Sequence, residues 1–357
     1  MKSIVLFGAG KIGQMIMALL ANDSQYRLTV VDASADNIEK TPCAQNIDKR
    51  LIHIDGVGSI ESILQGAYAV INAYPFYMAK DIALAAKRSR VHYLDLTEDV
   101  RSSLAIFEIA QDADTAFIPQ CGLAPGFISI VAHDLAKGFS TLEKVHMRVG
   151  ALPLYPSNAL KYNLTWSTDG LINEYCNPCL AIYDGQLREV LPLEQLEAFS
   201  LDGITYEAFN TSGGLGTLCD TLKGKVKNLN YKTVRYPGHC EIVKLLVRDL
   251  RLGERRDILK DVLEQAVPAT MQDVVLIFVT VSGKKKNRFL QESYAKKIYH
   301  KEINGKLWSA IQITTASAVC AVLDLLNQGK IPDRGFVRQE EISLDDFISN
   351  RFGGYYA

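Results

Sequence analysis

The sequence predicts an α/β fold. An N-terminal doubly wound parallel sheet is followed by a second, inserted α/β domain, and the C-terminal segment returns to the first. Three observations predict this. Strand and helix patterns alternate through the first 122 residues. After Gly122 the texture shifts to longer, hairpin-like strands with frequent Tyr, Asn, Gly and Pro. No repeat or low-complexity linker separates the two or so domains that 357 residues should hold.

Ser3–Phe7 is a short apolar run ending at Gly8, as expected of a strand buried on both faces. Ile12, Met15, Ile16, Leu19 and Leu20 recur at helical spacing. The alternation continues with strands at Arg27–Asp32, Leu51–Val57, Ala67–Ala73, Val91–Leu96 and Thr115–Pro119. Helical segments fall between them at Ile60–Leu64, Ala79–Lys87 and Val100–Asp112. Further on, Val274–Val281 and Phe289–Tyr299 read as a β-hairpin, with Lys284-Lys285-Lys286 in its solvated tip. Asn304-Gly305 is a second turn signal, and Ala316–Leu326 is a hydrophobic helix. The expected division is 1–124, completed by 315–357, for the first domain and 125–314 for the second.

Composition narrows the functional classes. Lys plus Arg (39) nearly cancels Asp plus Glu (40), so no cationic field marks nucleic acid or an anionic membrane as the partner. Hydrophobic residues make up 48%, enough for a full core, and no apolar run suggests a membrane span of about 20 residues. Three glycines and Lys11 break the stretch from Ile4 to Leu20, which reads as strand, turn and helix rather than a leader. Seven cysteines, an odd number, do not form a disulfide framework. The expectation is a cytoplasmic protein.

Gly8-Ala9-Gly10-Lys11-Ile12-Gly13 matches GxGxxG after a strand and at the start of a helix. Its chemistry is that of a Rossmann dinucleotide site: Gly8 for the tight turn, Gly10 for close approach to a pyrophosphate, Gly13 for helix–strand packing. Asp32, ending the second strand, is placed to accept hydrogen bonds from the ribose hydroxyls. A 2′-phosphate would meet that charge, and Ala33-Ser34 offers no arginine to receive it, so NAD is favoured over NADP. Asp55, Asn72 and Ala73 are placed along the cofactor cleft by position. Ligands bind beyond the carboxyl ends of such strands, which makes Tyr74, Asp95 and Cys121 candidates near the reacting atoms.

In the second half, Lys161 and Tyr162, Trp166, Thr211 and Ser212, and Arg235 to His239 form unusual clusters. Arg235 suits a substrate carboxylate. Asp95, Lys161 and His239 are the candidate proton carriers, with Cys121 and Tyr162 beside the substrate. Cys176-Asn177-Pro178-Cys179 is a CxxC without the further ligands of a zinc site, so no metal is expected.

The segments HYLDLTEDV (His92–Val100), IPQCGLAPGFISIVA (Ile118–Ala132), GALPLYPSNALKYNLTWSTDGLINEY (Gly150–Tyr175), EAFNTSGGLGTL (Glu207–Leu218), KTVRYPGH (Lys232–His239) and GFVRQEEI (Gly335–Ile342), together with GAGKIG, resemble the saccharopine dehydrogenase family over nearly the whole chain. The lysine 6-dehydrogenase branch is the most similar. The resemblance implies a homodimer whose inserted domain holds a small amino-acid substrate and forms the interface. It also implies NAD-dependent oxidative deamination of lysine at its ε-carbon. Glutamate-forming members typically carry an acidic residue before the proline where Ala124 stands here, which favours lysine over saccharopine. Saccharopine as substrate is the nearest alternative, a non-catalytic NAD-binding sensor is another, and S-adenosylmethionine fits the full GxGxxG less well.

Overall fold

A computed structural model describes every residue, Met1–Ala357, and the chain divides into two compact units. The first comprises Met1–Phe127 with Gln312–Ala357, the second Ile128–Ile311.

The first unit opens with six parallel strands: β1 (Lys2–Phe7), β2 (Tyr26–Asp32), β3 (Ile47–Leu51), β4 (Ala69–Asn72), β5 (His92–Asp95) and β6 (Ala116–Ile118). Their order, β6-β5-β4-β1-β2-β3, reverses direction between β1 and β4, the switch point at which such sheets bind ligands. Ile4, Leu6 and Phe7 are fully buried because helices cover both faces. The helices Val57–Leu64, Ala79–Ser89 and Val100–Ile109 place Ile60, Leu64, Ile82 and Ile106 against Val5, Phe7, Val70, Tyr93 and Phe117. The predicted third strand, Leu51–Val57, is displaced: β3 covers Ile47–Leu51 instead. It is an edge strand bonded only to β2, with Asp48 and Lys49 half-buried and Arg50 exposed. An apolar-run criterion therefore selects the loop that follows it.

The second unit is built on a mixed sheet of eight strands. Its members are β7 (Thr141–Pro153), β8 (Cys179–Tyr183), β9 (Gln186–Val190), β10 (Glu197–Leu201), β11 (Ile204–Asn210), β12 (Val226–Arg235), β13 (Asp273–Lys285) and β14 (Arg288–Tyr299). The order is β10-β11-β12-β7-β13-β14, with β8 and β9 paired beside β12. Strands β7 and β12 run parallel and the remaining pairs are antiparallel. One core gathers Tyr162, Leu171, Tyr175, Phe209, Val243, Leu259 and Leu263 around the helices Thr168–Cys176, His239–Lys244 and Arg256–Ala266.

The β13–β14 hairpin closes more tightly than its sequence suggests. Only Lys286 and Asn287 lie between the strands, both with positive φ (49° and 62°), the twist a two-residue hairpin turn demands. A small hairpin, β15 (Lys301–Ile303) with β16 (Lys306–Trp308), turns at Asn304-Gly305. The helix Ala310–Asn327 follows and is long and apolar enough to cross a membrane, contrary to the expectation that no such segment exists. It is 89% buried within the protein and reads as a core helix. Finally β17 (Gly335–Phe336) adds a seventh parallel strand beside β6.

Candidate functional site

In the first unit, the turn after β1 is held by main chain. Gly8 has φ 102°, its N–H donates to the Val31 carbonyl (2.9 Å), and a Cβ there would sit 2.7 Å from the Ala73 oxygen. A Cβ on Gly13 would collide with the Gly8 carbonyl, whereas at Gly10 nothing lies within 4 Å. Two of the three glycines are thus fixed by internal crowding and the third borders open space. The helix Lys11–Leu20 begins after Gly10 with no side-chain cap and no acidic residue in its first turn. Its first N–H groups have no partner inside the helix, and with the dipole they favour an anion. The residues therefore fit the pyrophosphate of a dinucleotide.

Asp32, only 5% exposed, accepts from Ala9 N–H (2.7 Å) and from Ser34 N–H (2.8 Å), with Asn37 Nδ2 at 3.3 Å. One carboxylate thus braces both the glycine turn and the end of β2. Lys11 is the exposed first residue of the helix and Ile12 is half-buried. At the end of β4, Asn72 accepts from Tyr74 N–H and donates to Tyr93 Oη, while Ala73 N–H donates to the Phe7 carbonyl. Asp55 is exposed in the loop after β3, with its N–H on Ser59 Oγ.

Tyr74, at the end of β4, lies beside Phe7 and near Asp32. Its ring lies 5.9 Å from Phe7, and its hydroxyl, buried and without a hydrogen-bond partner, is pushed to a higher pKa by burial and by the Asp32 charge. Asp95 and Cys121 come together at the ends of β5 and β6. Asp95 is fully buried and accepts from Gln120 N–H (2.8 Å), Thr97 N–H (3.1 Å) and Tyr93 Oη–H (2.8 Å). Burial raises its carboxyl to about 6, against the pull of those bonds. The Cys121 thiol donates to the Ile118 carbonyl and accepts from Gln339 Nε2. Burial, reinforced by the Asp95 charge, pushes it far up, so it stays protonated and is no nucleophile.

In the second unit, the substrate candidates converge on Arg235, the last residue of β12. It is 2% exposed, donates from Nε to Tyr175 Oη (3.0 Å) and from Nη1 to the Val234 carbonyl, and lies 4.9 Å from the centre of the Tyr162 ring. The Glu174 carboxylate lies 3.9 Å from Nη2, beyond hydrogen-bond distance. His239 opens the next helix and is wholly buried. Its Nδ1 faces the Leu160 carbonyl at 2.7 Å, so Nδ1 carries the proton. Nε2, 2.9 Å from Tyr175 Oη, is then the acceptor. Burial, helped by the Arg235 charge, lowers His239 to about 3. Arg235, Tyr175 and His239 thus form a directed chain of hydrogen bonds with a neutral imidazole at its end.

Tyr162 Oη receives the Trp166 indole N–H (3.1 Å). Thr211 is buried with Oγ1 unpartnered, and Ser212 Oγ donates to the Pro178 carbonyl. Lys161 stands apart: it is exposed, with Nζ on the Pro237 carbonyl. Cys176 and Cys179 are free thiols, and no group of three metal-ligating side chains forms.

Three residues escaped the sequence reading. Tyr93 and Tyr175 look like ordinary aromatic positions in a strand and a helix. Glu207 accepts from Gly238 and Cys240 N–H (2.8 and 2.7 Å) and so fixes the helix start that presents His239. Its alignment opposite Arg235 across β11 and β12 is legible only once the sheet is paired.

A parallel sheet with this switch point, a bare glycine turn and a carboxylate bracing that turn from the end of β2 fit one class: a Rossmann-type nicotinamide-nucleotide oxidoreductase. Residues 4–117 match the model of the saccharopine dehydrogenase NADP binding domain, and residues 122–352 that of the saccharopine dehydrogenase C-terminal domain. The chain belongs to the saccharopine dehydrogenase family. It is 24% identical over 321 residues to the mitochondrial alpha-aminoadipic semialdehyde synthase of Bos taurus, across 83% of this chain and 33% of that protein. It is 20% identical over 284 residues to the NADP(+), L-glutamate-forming saccharopine dehydrogenase of Pyricularia oryzae, across 75% of this chain and 61% of that one. The chain thus spans a third to three fifths of these two curated relatives. The fold matches apo saccharopine dehydrogenase (L-Glu forming) from Saccharomyces cerevisiae with a TM-score of 0.77 at 16% identity, covering 97% of this chain and 95% of that one.

Proposed function

We propose that this chain is an amine dehydrogenase that oxidises the bond between the ε-carbon and nitrogen of lysine. The observation that carries the reading is the state of the buried cations in the second unit. Arg148 and Lys232 are both spent on one carboxylate, Glu197. Arg235 alone makes no hydrogen bond to a carboxylate: Glu174, its ion-pair partner, stands 3.9 Å from Nη2. One buried guanidinium that is not hydrogen-bonded to a carboxylate suits one substrate carboxylate, and lysine has one where saccharopine has three.

The chemistry a nicotinamide dinucleotide supplies when bound is hydride acceptance. This chain's residues do the rest. The Gly8–Gly13 turn and helix start hold the diphosphate. Arg235 binds the substrate carboxylate with two parallel N–H donors and fixes the direction of the carbon chain. The ε-ammonium must first lose a proton, and Asp95, ionised at neutral pH with a carboxyl near 6, has the basicity for that role. His239 is too weak a base for this, and it holds Tyr175 against Arg235 instead. Water then hydrolyses the imine left on the substrate to aldehyde and ammonia.

Asp32 favours NAD, because its braced carboxylate would face a 2′-phosphate with like charge. The matching family model is described as NADP binding, so the distinction calls for direct measurement. Asp32→Ala is expected to weaken NAD about tenfold, through lost ribose bonds and a loosened Ala9 turn, while NADP weakens less or tightens. Fluorescence titration with both nucleotides reads this out, and an unchanged NAD affinity would remove Asp32 from the cofactor site.

Saccharopine is the second reading, favoured by the names of the relatives. Following nicotinamide reduction with lysine and with saccharopine side by side separates them. Turnover of saccharopine alone would overturn the lysine assignment, and turnover of neither would leave a nucleotide-binding protein.

A further inference from the structure

We infer that Tyr93 is a positioning residue for Asp95: its hydroxyl donates a hydrogen bond to the ionised carboxylate and accepts one from it after the carboxylate has taken a proton. The inference rests on Asp95 being the base of the proposed reaction.

The two oxygens of Asp95 are unequal. Oδ1 receives two main-chain N–H groups, from Gln120 (2.8 Å) and Thr97 (3.1 Å). The Gln120 donor is aimed by a left-handed backbone (φ 64°), and its side chain is tied to Ser103 Oγ (3.0 Å). Oδ2 faces Tyr93 Oη at 2.8 Å. A main-chain amide only donates, whereas a hydroxyl donates, accepts and rotates to suit. A proton taken by Asp95 therefore settles on Oδ2, the oxygen whose partner can reverse its role.

Tyr93 Oη has the contacts that a reversal needs. Asn72 Nδ2 donates to it (3.3 Å), and the Asn72 amide is held in that sense because its Oδ1 accepts the Tyr74 N–H (3.0 Å). The Ala79 carbonyl stands 3.4 Å away as a second acceptor. With Asp95 ionised, Oη accepts from Asn72 and donates to Oδ2. With Oδ2 protonated, Oη accepts from Asn72 and Asp95 and turns its own hydrogen to Ala79. Asp95, Tyr93 and Asn72 are all buried, and each keeps its hydrogen bonds in both states. A base that gains and loses a proton in every turnover needs such a partner. A fixed donor would oppose the protonated form, and a phenyl ring would serve neither.

The titratable groups that face Asp95 are Tyr93 itself and the Cys121 thiol, both kept protonated by burial and by the Asp95 charge. A titration near pH 6 in this group therefore belongs to Asp95.

The test follows the Asp95 carboxyl by infrared spectroscopy on the full chain with isotope-labelled aspartate and no substrate, the band being assigned by its loss in Asp95→Asn. Wild type should titrate near pH 6. Tyr93→Phe, its fold checked by circular dichroism, should raise the midpoint by about one pH unit. That is the difference between a hydrogen bond to a charged group and one between neutral groups. The acid limb of kcat for lysine should move up by the same amount. In wild type, a tyrosine C–O band should change with the Asp95 midpoint and stay constant in Asp95→Asn, which supplies a readout even where Tyr93→Phe does not fold. An unchanged midpoint in folded Tyr93→Phe, or an Asp95 titration that no tyrosine follows, overturns the inference. A coupled titration without turnover of lysine or saccharopine, or with an acid limb that stays in place, overturns Asp95 as the base and leaves the hydrogen-bond switch standing.

Discussion

Arg235→Met is expected to lower kcat/KM for lysine by about 10²–10³, the cost of removing one partner of a buried, hydrogen-bonded charge pair. Most of the loss should appear in KM, because the carboxylate is held in the ground state and the transition state alike. NAD affinity should stay within twofold, since the glycine turn and Asp32 belong to the other unit. Arg235→Lys should recover little. An ammonium cannot reproduce the planar fork that reaches Tyr175 and the Val234 carbonyl at once while offering further donors to a ligand. Steady-state kinetics decide the matter: a kcat/KM within threefold of wild type would show that the guanidinium is a structural cation of the core.

Asp95→Asn separates catalysis from stability in opposite directions. The amide oxygen can still accept from Gln120 and Thr97, and the Tyr93 hydroxyl can reorient to accept from the amide nitrogen, so the strand ends stay joined. If Asp95 takes the ammonium proton, kcat should fall by about 10²–10⁴. The acid limb of the wild-type profile should lie near pH 6, because the base works only when ionised, and it should vanish in the variant. The sign for stability follows from the same shift. A carboxyl raised from 3.8 to about 6 in the folded state favours folding below pH 4, and this benefit is lost as pH rises through 6. At pH 7 the ionised group therefore costs up to about 3 kcal/mol. The asparagine variant should be equally or more stable there, and wild type should lose stability between pH 4 and 6 relative to it. Retained kcat would move the proton to another group, and a lower melting temperature at pH 7 would show that the three bonds outweigh the buried charge.

What the sequence made legible follows the range of the forces involved. The glycine turn and Asp32 are local signals, since turn geometry, a helix start and a strand end are all encoded within about thirty residues. The amphipathic stripe ending at Leu20 and the turn at Asn304-Gly305 are local in the same sense. Strand β3 is not legible as an apolar run because an edge strand need not be apolar; its partner β2 supplies the pairing that its composition does not advertise. The tightness of the β13–β14 turn is hidden because Lys286 and Asn287 adopt positive φ without a glycine to announce it. The Glu174, Tyr175 and Glu207 contacts join elements thirty to sixty residues apart, and only the packing of the helix Thr168–Cys176 and the pairing of β11 with β12 bring them together.

The second unit is spliced into the first at two points, after Phe127 and before Gln312, and the later join falls inside the helix Ala310–Asn327. Asp273, on β13, accepts the N–H groups of Ala310 and Ile311 and so anchors the first turn of that helix to the inserted unit's own sheet. The inserted unit is therefore joined to the first at a seam that runs through one helix rather than through a loop. A chimera that transplants it must carry Asp273 and the opening helical turn across together, because a seam drawn at the end of the sheet would leave two buried amides without their acceptor.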